Sequence, residues 1–291
     1  MDKTFETPGG VRLTVEIHAG RVEVSAVATD RTVVSVEAET PGAEELVRRT
    51  TVECESSGGR HHVMVKMPHV HGMRLLRRNA VTVRVALPEG AVVDVATASA
   101  AIEINGAVGE VDVKTGSGTI SIDDVAADVD VKTASGNITM GNVGGDVRAY
   151  TASGDLRCSS VAGAARFSTT SGDLEVGAAG DRVEVKATSG DVRLGELAAG
   201  ARVVNVSGNV RVLALEEGTL HVRSVSGDVR VGVAKGVDLH VDVETASGLV
   251  HSDIPLDDAP APGARREARV DLSVRSVSGN VEIGRALENV A

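Results

Sequence analysis

A Ser-Gly pair recurs along most of the chain, and a repeated serine raises the question of nucleophilic catalysis. From position 117 to position 207 the serine returns every eighteen residues, and it continues at longer intervals to position 278. A nucleophilic serine needs a histidine base that a carboxylate orients, and no histidine recurs with this pair. The pattern therefore predicts a corner, where glycine takes a backbone conformation that other residues tolerate poorly. The predicted corner residues are Ser117, Gly118, Ser135, Gly136, Ser153, Gly154, Ser171, Gly172, Ser189, Gly190, Ser207, Gly208, Ser226, Gly227, Ser247, Gly248, Ser278 and Gly279.

An acidic or amide residue stands two positions after most of these serines. The column comprises Asn137, Asp155, Asp173, Asp191, Asn209, Asp228 and Asn280. Carboxylates stacked about 5 Å apart repel one another, and a calcium ion would relieve that repulsion. Aspartate and asparagine are also common turn residues beside glycine, and this interpretation is favoured, so no cofactor is predicted. The alternative is a calcium column formed by Asp155, Asp173, Asp191 and Asp228.

Histidines and cysteines give weaker signs of chemistry. The segment RHHVMVKMPHVH supplies His61, His62, His69 and His71, but no carboxylate or cysteine pattern accompanies them. They indicate an exposed hairpin rather than a metal site. Cys54 and Cys158 are far apart in sequence, and Cys158 stands where other repeats carry Ile, Met, Val or Leu. We predict that it is a small core residue rather than half of a disulfide.

Composition argues against several classes of function. The 291 residues contain only three aromatic side chains, Phe5, Tyr150 and Phe167, and no tryptophan. An enzyme that acts on polysaccharides needs a carboxylate pair beside a groove, which aromatic rings commonly line, so no enzyme is predicted. The net charge of −11 provides no basic stripe for nucleic acid and no attraction to anionic lipid.

Apolar residues fall into columns with the same period, so the corners belong to a repeated structural unit. Aliphatic residues dominate the positions three and five residues after the serine and four residues before it. Charged and polar residues alternate with them, as in VEVKATSGDVRLG at 183–195. This alternation predicts two strands per unit, each with one face that is buried only when units stack. We therefore predict an all-β fold, a single-domain β-solenoid of about ten eighteen-residue, two-strand coils.

The chain departs from this period in two places. Residues 1–90 alternate less regularly and are predicted to form a β-rich N-terminal cap continuous with the solenoid, with one short helix at 41–49. Residues 91–291 are predicted to form the coils. Within them, 252–268 contains three of the seven prolines and is expected to leave the coil as a lateral loop. Imperfectly capped ends would expose strand edges through which copies of the protein could associate end to end.

The sequence shows no sign of export or of membrane insertion. Its start, MDKTFETPGG, lacks the basic and apolar regions of a secretory signal. No apolar run reaches the length of about eighteen residues that a membrane-spanning helix requires. A cytoplasmic location without direct membrane insertion is therefore expected.

The repeated unit T-x-S-G-[DN]-[VIL]-x-[VIL] resembles that of a known family. Copies such as TASGNI at 133–138, TASGDL at 151–156 and SVSGNVEIG at 276–284 are similar to the bacterial β-strand-repeat family labelled "putative adhesin", also called toast-rack. The resemblance covers nearly the whole chain. It implies a β-solenoid-like fold without known catalytic residues, and some relatives are linked to envelope-stress modules beside membrane proteins.

Two classes of function follow as hypotheses. The first is a non-enzymatic interaction scaffold in the cytoplasm that binds a protein partner through the loop at 252–268, with a link to envelope-stress signalling that the resemblance implies. The second is a surface adhesin or a calcium-dependent binding protein. A carbohydrate-active β-helix enzyme is the third and least favoured hypothesis.

Overall fold

A computed structural model describes residues 1–68, 80–254 and 269–286 of the chain. The chain forms two compact units, Met1–Gly145 with Ala149–Thr151, and Asp146–Arg148 with Ala152–Ala291. Strands dominate both units, and the predicted all-β solenoid is confirmed. Most of the predicted loop, residues 255–268, lies outside the described part of the chain.

The described residues form twenty-five strands and one short helical segment. The strands are β1 (Asp2–Glu6), β2 (Gly10–Val27), β3 (Arg31–Ala38), β4 (Thr51–Ser57), β5 (Arg60–Lys66), β6 (Val81–Pro88), β7 (Val92–Asn105), β8 (Glu110–Ser117), β9 (Ile120–Ile122), β10 (Val129–Ser135), β11 (Ile138–Val143), β12 (Val147–Ser153), β13 (Leu156–Val161), β14 (Ala165–Ser171), β15 (Leu174–Ala179), β16 (Val183–Ser189), β17 (Val192–Leu197), β18 (Gly200–Ser207), β19 (Val210–Leu215), β20 (Gly218–Ser226), β21 (Val229–Val233), β22 (Asp238–Ser247), β23 (Val250–Ser252), β24 (Arg269–Ser278) and β25 (Val281–Arg285). A 3-10 turn at Pro41–Ala43 leads into the helix α1 (Glu44–Arg49), where the sequence predicts a short helix.

Within each unit, coils stack in parallel with an offset of one repeat. In the first unit β8 pairs with β10, so that Val111 lies beside Val129. In the second unit β15 pairs with β17, so that Leu174 lies beside Val192. Equivalent residues of successive repeats are therefore neighbours, and each apolar column of the sequence becomes a ladder inside the coils.

These ladders form the core. Most of their aliphatic side chains are almost completely buried, and Phe167 is the largest of the most deeply buried residues. A ladder of threonines two residues before the corner serine is also buried. The hydroxyl of Thr133 donates to the carbonyl oxygen of Ser135 at 3.2 Å, whereas the hydroxyl of Thr169 has no hydrogen-bond partner among the described residues. Local bonding to the corner is therefore optional for a threonine in this ladder.

At the N-terminal end, the order of the coils differs from the order of the chain. The long strand β2 is parallel to β5 and β6 on one side and to β7 on the other. Outside this coil, β3 covers β6 and β4 covers β5, both antiparallel, and β1 is antiparallel to β3. Because β2 forms hydrogen bonds along both edges, the N-terminal part of the chain is held against fraying.

In the second unit, toward the other end of the chain, one coil is likewise inserted between two others. The last segment, β24 and β25, lies between the coil of β20 and β21 and the coil of β22 and β23. Thus the penultimate coil of the sequence is the outermost coil of this unit in the described structure. Parallel pairing allows this exchange because every coil offers the same ladder positions to its neighbour.

Candidate functional site

The predicted corner residues mark a close approach of successive coils. All nine glycines of the Ser-Gly pairs have positive φ, between 123° and 150°. A β-carbon on Gly190 would lie 2.1 Å from the carbonyl oxygen of Gly172, the corner glycine one coil earlier. The serines are exposed, apart from the half-buried Ser117. Backbone conformation and the missing side chain therefore account for the repeated glycine.

The column after the corner forms a hydrogen-bonded ladder. Each side-chain oxygen accepts a bond from the backbone N–H of the equivalent residue one coil further. The bonds run from Asp173 N–H to Asp155 Oδ1 (3.1 Å), Asp191 to Asp173 (2.9 Å), Asn209 to Asp191 (2.8 Å), Asp228 to Asn209 (3.1 Å), Asn280 to Asp228 (2.9 Å) and Leu249 to Asn280 (3.0 Å). Either an aspartate or an asparagine can supply the acceptor, which explains why both occur in the column.

We expect Asp173→Ala to lower the free energy of unfolding by about 1–2 kcal/mol, because the N–H of Asp191 loses its acceptor. Asp173→Asn should be close to wild type, because an amide oxygen accepts the same bond. Urea denaturation followed by circular dichroism measures both effects. Equal losses from the two variants would show that the carboxylate charge, rather than the acceptor oxygen, stabilises the column.

Among the described residues, no cluster of ligands supports a metal site at the histidines or at the acidic column. Residues 1–68, 80–254 and 269–286 contain no group of three or more His, Cys, Asp and Glu residues that could hold a metal ion. His61 and His62 lie on β5, in the hairpin with β4, where His61 contacts Ser56 at 2.8 Å and His62 contacts Thr14 at 2.9 Å. His69 and His71 lie outside the described residues. The calcium column remains a prediction, and one oxygen of each of its four carboxylates already accepts a backbone hydrogen bond.

The two cysteines are thiols in different environments, Cys54 half-buried and Cys158 buried. Desolvation raises the pKa of the Cys158 thiol to about 12. Because this pKa exceeds that of an unfolded thiol, about 8.5, the neutral thiol favours folding below that value. Its contribution is lost as the pH rises from about 8.5 through 12. Cys158 is buried in the apolar column, as predicted for a small core residue.

We therefore expect iodoacetamide at pH 8 to modify Cys54 at least about tenfold faster than Cys158 in the folded protein, because only the accessible thiolate reacts. Mass spectrometry of peptides sampled over time measures the two rates. In concentrated urea both residues should react at similar rates. Equal rates in the folded protein would contradict the burial of Cys158.

One coil exposes residues that other coils bury. We call the residues 236–254, which contain β22 and β23, the terminal coil. Val250 on β23 is 50% exposed, while its register partner Val281 on β25 is fully buried. Val241 and Val243 on β22 are half-buried, although their equivalents on β24 are buried. The apolar face of the terminal coil thus has a neighbour on one side only among the described residues.

Leu249 adds to this exposed surface. It occupies the position of the aspartate and asparagine column, and its side chain is 75% exposed. An acceptor side chain at position 249 would have no backbone N–H to accept from, because Leu249 is the last donor of the ladder among the described coils. A leucine at this position is the local signal in the sequence that could have indicated this surface, which the repeat motif alone does not predict.

Charged side chains on the outward faces pair between neighbouring coils. Arg230 lies 2.7 Å from Glu282, and that hydrogen bond raises the pKa of the arginine. Arg84 likewise contacts Glu23 and Glu37 at 2.8 and 2.7 Å. These pairs are exposed and each stabilises the fold only slightly. They matter for the choice of neighbouring strand, because a coil with charged residues of one sign favours a neighbour with charged residues of the opposite sign.

The described residues include no helix of the length and apolarity that crossing a membrane requires. No curated protein matches the chain. Two similar solved structures are a "putative adhesin" from Parabacteroides distasonis (10% identity, 97% of this chain and 96% of that one, TM-score 0.42) and one from Bacteroides fragilis (9% identity, 97% and 96%, TM-score 0.40). The family model described as Toastrack DUF4097 matches residues 12–284. With its stacked corners and ladders, the chain belongs to the Toastrack DUF4097 family.

Proposed function

We propose that the protein is a non-enzymatic interaction protein that binds a protein partner through the terminal coil. The observation that carries this proposal is the exposed apolar surface of Leu249 and Val250 at that coil. Apolar side chains exposed together beside a strand edge are typical of interaction surfaces. Covering a leucine side chain contributes about 1.5–3 kcal/mol, which is enough to dominate a small interface.

A binding experiment tests the role of this surface. The variant Leu249→Asn/Val250→Thr replaces apolar surface by polar groups and gives position 249 the residue type of Asn280. The control variant Val225→Asn/Val277→Thr changes two exposed valines outside the terminal coil, 48% and 55% exposed. Quantitative affinity purification from native cells should recover the same partner with wild type and control. Recovery should fall at least about tenfold with the terminal-coil variant.

Equal partner recovery with all three proteins would overturn this proposal, provided that their thermal unfolding is similar. The predicted role of the segment 252–268 is tested in the same assay by deleting residues 255–266. If that deletion alone abolishes recovery, the partner binds the segment rather than the terminal coil.

The biological setting belongs to the proposal as well. The link to envelope-stress signalling is supported by the family resemblance, and we propose the cytoplasm as the location. Cell fractionation tests the location directly. Recovery of the protein from the cell surface would favour the alternative, a surface adhesin. Calcium dependence is tested by thermal unfolding with and without millimolar calcium, and no change is expected.

A further inference from the structure

Within residues 1–68, 80–254 and 269–286, no strand covers the outer edge of β22. Among the described residues, β22 pairs with β24 alone, and its ten residues carry N–H and C=O groups along the opposite edge. In the first unit, the comparable edges of β5 and β6 are covered by antiparallel strands. A long uncovered edge is a template on which an extended segment can form backbone hydrogen bonds.

Apart from His240 and His251, the ionisable residues of the terminal coil are all acidic. Residues 236–254 contain Asp238, Asp242, Glu244 and Asp253 but no lysine or arginine. Other coils of the same unit mix the two signs, as Glu184 and Lys186 on β16 illustrate with their ion pair of 3.0 Å. A strand added to β22 would therefore meet negative charge along its polar face.

Another acidic segment of the molecule shows how a neighbouring strand balances such negative charge. The residues of β7 likewise include acidic but no basic side chains. The neighbouring strand β2 supplies the arginines, with Arg12 at 2.7 Å from Asp94 and Arg21 at 3.0 Å from Glu103. On the covered side of the terminal coil, Arg275 of β24 lies 3.6 Å from Glu244. Acidic coils in this chain are thus paired by basic residues from the adjacent strand.

Resting on the function proposed above, we propose that the partner contributes an extended segment in which lysine or arginine alternates with apolar residues. This segment adds to the edge of β22. Its apolar side chains continue the ladders of Val241 and Val243, and its basic side chains pair with Asp238 and Asp242. A second copy of the protein fits less well, because two β22 edges would bring acidic residues together.

Synthetic peptides test the partner chemistry on the full-length chain. The probe is a ten-residue peptide of alternating valine and lysine, and the controls are a valine–glutamate peptide and a valine–lysine peptide N-methylated at its central residues. We expect fluorescence anisotropy to show at least about tenfold tighter binding of the first peptide than of either control. The variant Asp242→Lys should weaken binding at least about fivefold, and Glu110→Lys, the same charge change in the first unit, should not.

Each other outcome overturns the inference in a distinguishable way. Equal binding of the N-methylated peptide would show charge attraction without strand addition. Absence of peptide binding, with partner recovery still lost in Leu249→Asn/Val250→Thr, would reject the basic segment and keep the proposed function. Dimers in light scattering that the Leu249→Asn/Val250→Thr variant abolishes would identify a second copy as the occupant. Unchanged partner recovery in that variant would reject the proposed function itself.

Discussion

Gly172→Ala is expected to lower the free energy of unfolding of the second unit by at least about 3 kcal/mol. Gly172 has φ of +134°, a conformation that costs an alanine about 1–3 kcal/mol. The new β-carbon would also lie 2.2 Å from the carbonyl oxygen of Gly154, so the two coils would have to separate at the corner. Because each coil depends on its neighbours, the strain cannot be relieved locally. Urea denaturation followed by circular dichroism measures the loss.

Gly58→Ala is the matched control for this prediction. Gly58, between β4 and β5, also has positive φ, +58°, but a β-carbon there would have no heavy atom within 4 Å. Its replacement should cost only about 1 kcal/mol, the penalty of the backbone conformation alone. Similar losses for Gly58→Ala and Gly172→Ala would show that the close approach of the coils contributes nothing.

Phe167→Ala is expected to lower the free energy of unfolding by about 3–5 kcal/mol, the usual cost of removing a buried aromatic ring. Phe167 is 2% exposed and pairs in register with Val185 of the next coil. Regular hydrogen bonding fixes the spacing of the coils, so neighbouring side chains can fill only part of the cavity. Urea denaturation again supplies the measurement.

Tyr150→Ala provides the comparison, because the same loss of a ring occurs at the surface. Tyr150 is 46% exposed, and its removal should change the free energy of unfolding by less than about 1 kcal/mol. A loss at Tyr150 as large as that at Phe167 would mean that burial of the ring does not determine its contribution. Circular dichroism follows both variants, since the chain has no tryptophan to report unfolding by fluorescence.

The regular coils could be predicted because each repeat contains the residue pattern that specifies its strands and its corner. The alternation of polar and apolar residues around Ser189, for example, identifies two strands and their buried face. The glycine of each pair indicates a corner, and the constant period places equivalent residues side by side. The short helix before β4 likewise follows from local residues, the Pro-Gly pair and the glutamates after it. These properties depend on neighbours a few positions apart, which is the range over which sequence patterns are informative.

The candidate site could not be predicted in the same way. Val250 and Val281 occupy the same position of the repeat, yet one is half exposed and the other is buried. The difference arises because β25 lies between two coils whereas β23 borders only one among the described strands. The strand pattern is the same in both repeats and does not encode that order; Leu249 in place of an aspartate or asparagine, and Ser252 opposite Ile283, distinguish the terminal coil.

Sequence alone therefore determined the β-solenoid class, the coil length, the corners and the buried columns of this protein. Tertiary structure alone decided which coil is outermost in the second unit, how β2 is inserted in the first, and which aspartate oxygens accept backbone hydrogen bonds. The physical reason is that repeats of similar sequence can pair with one another in several orders. Only long-range pairing selects one order, and that choice exposes Leu249 and the acidic edge of β22.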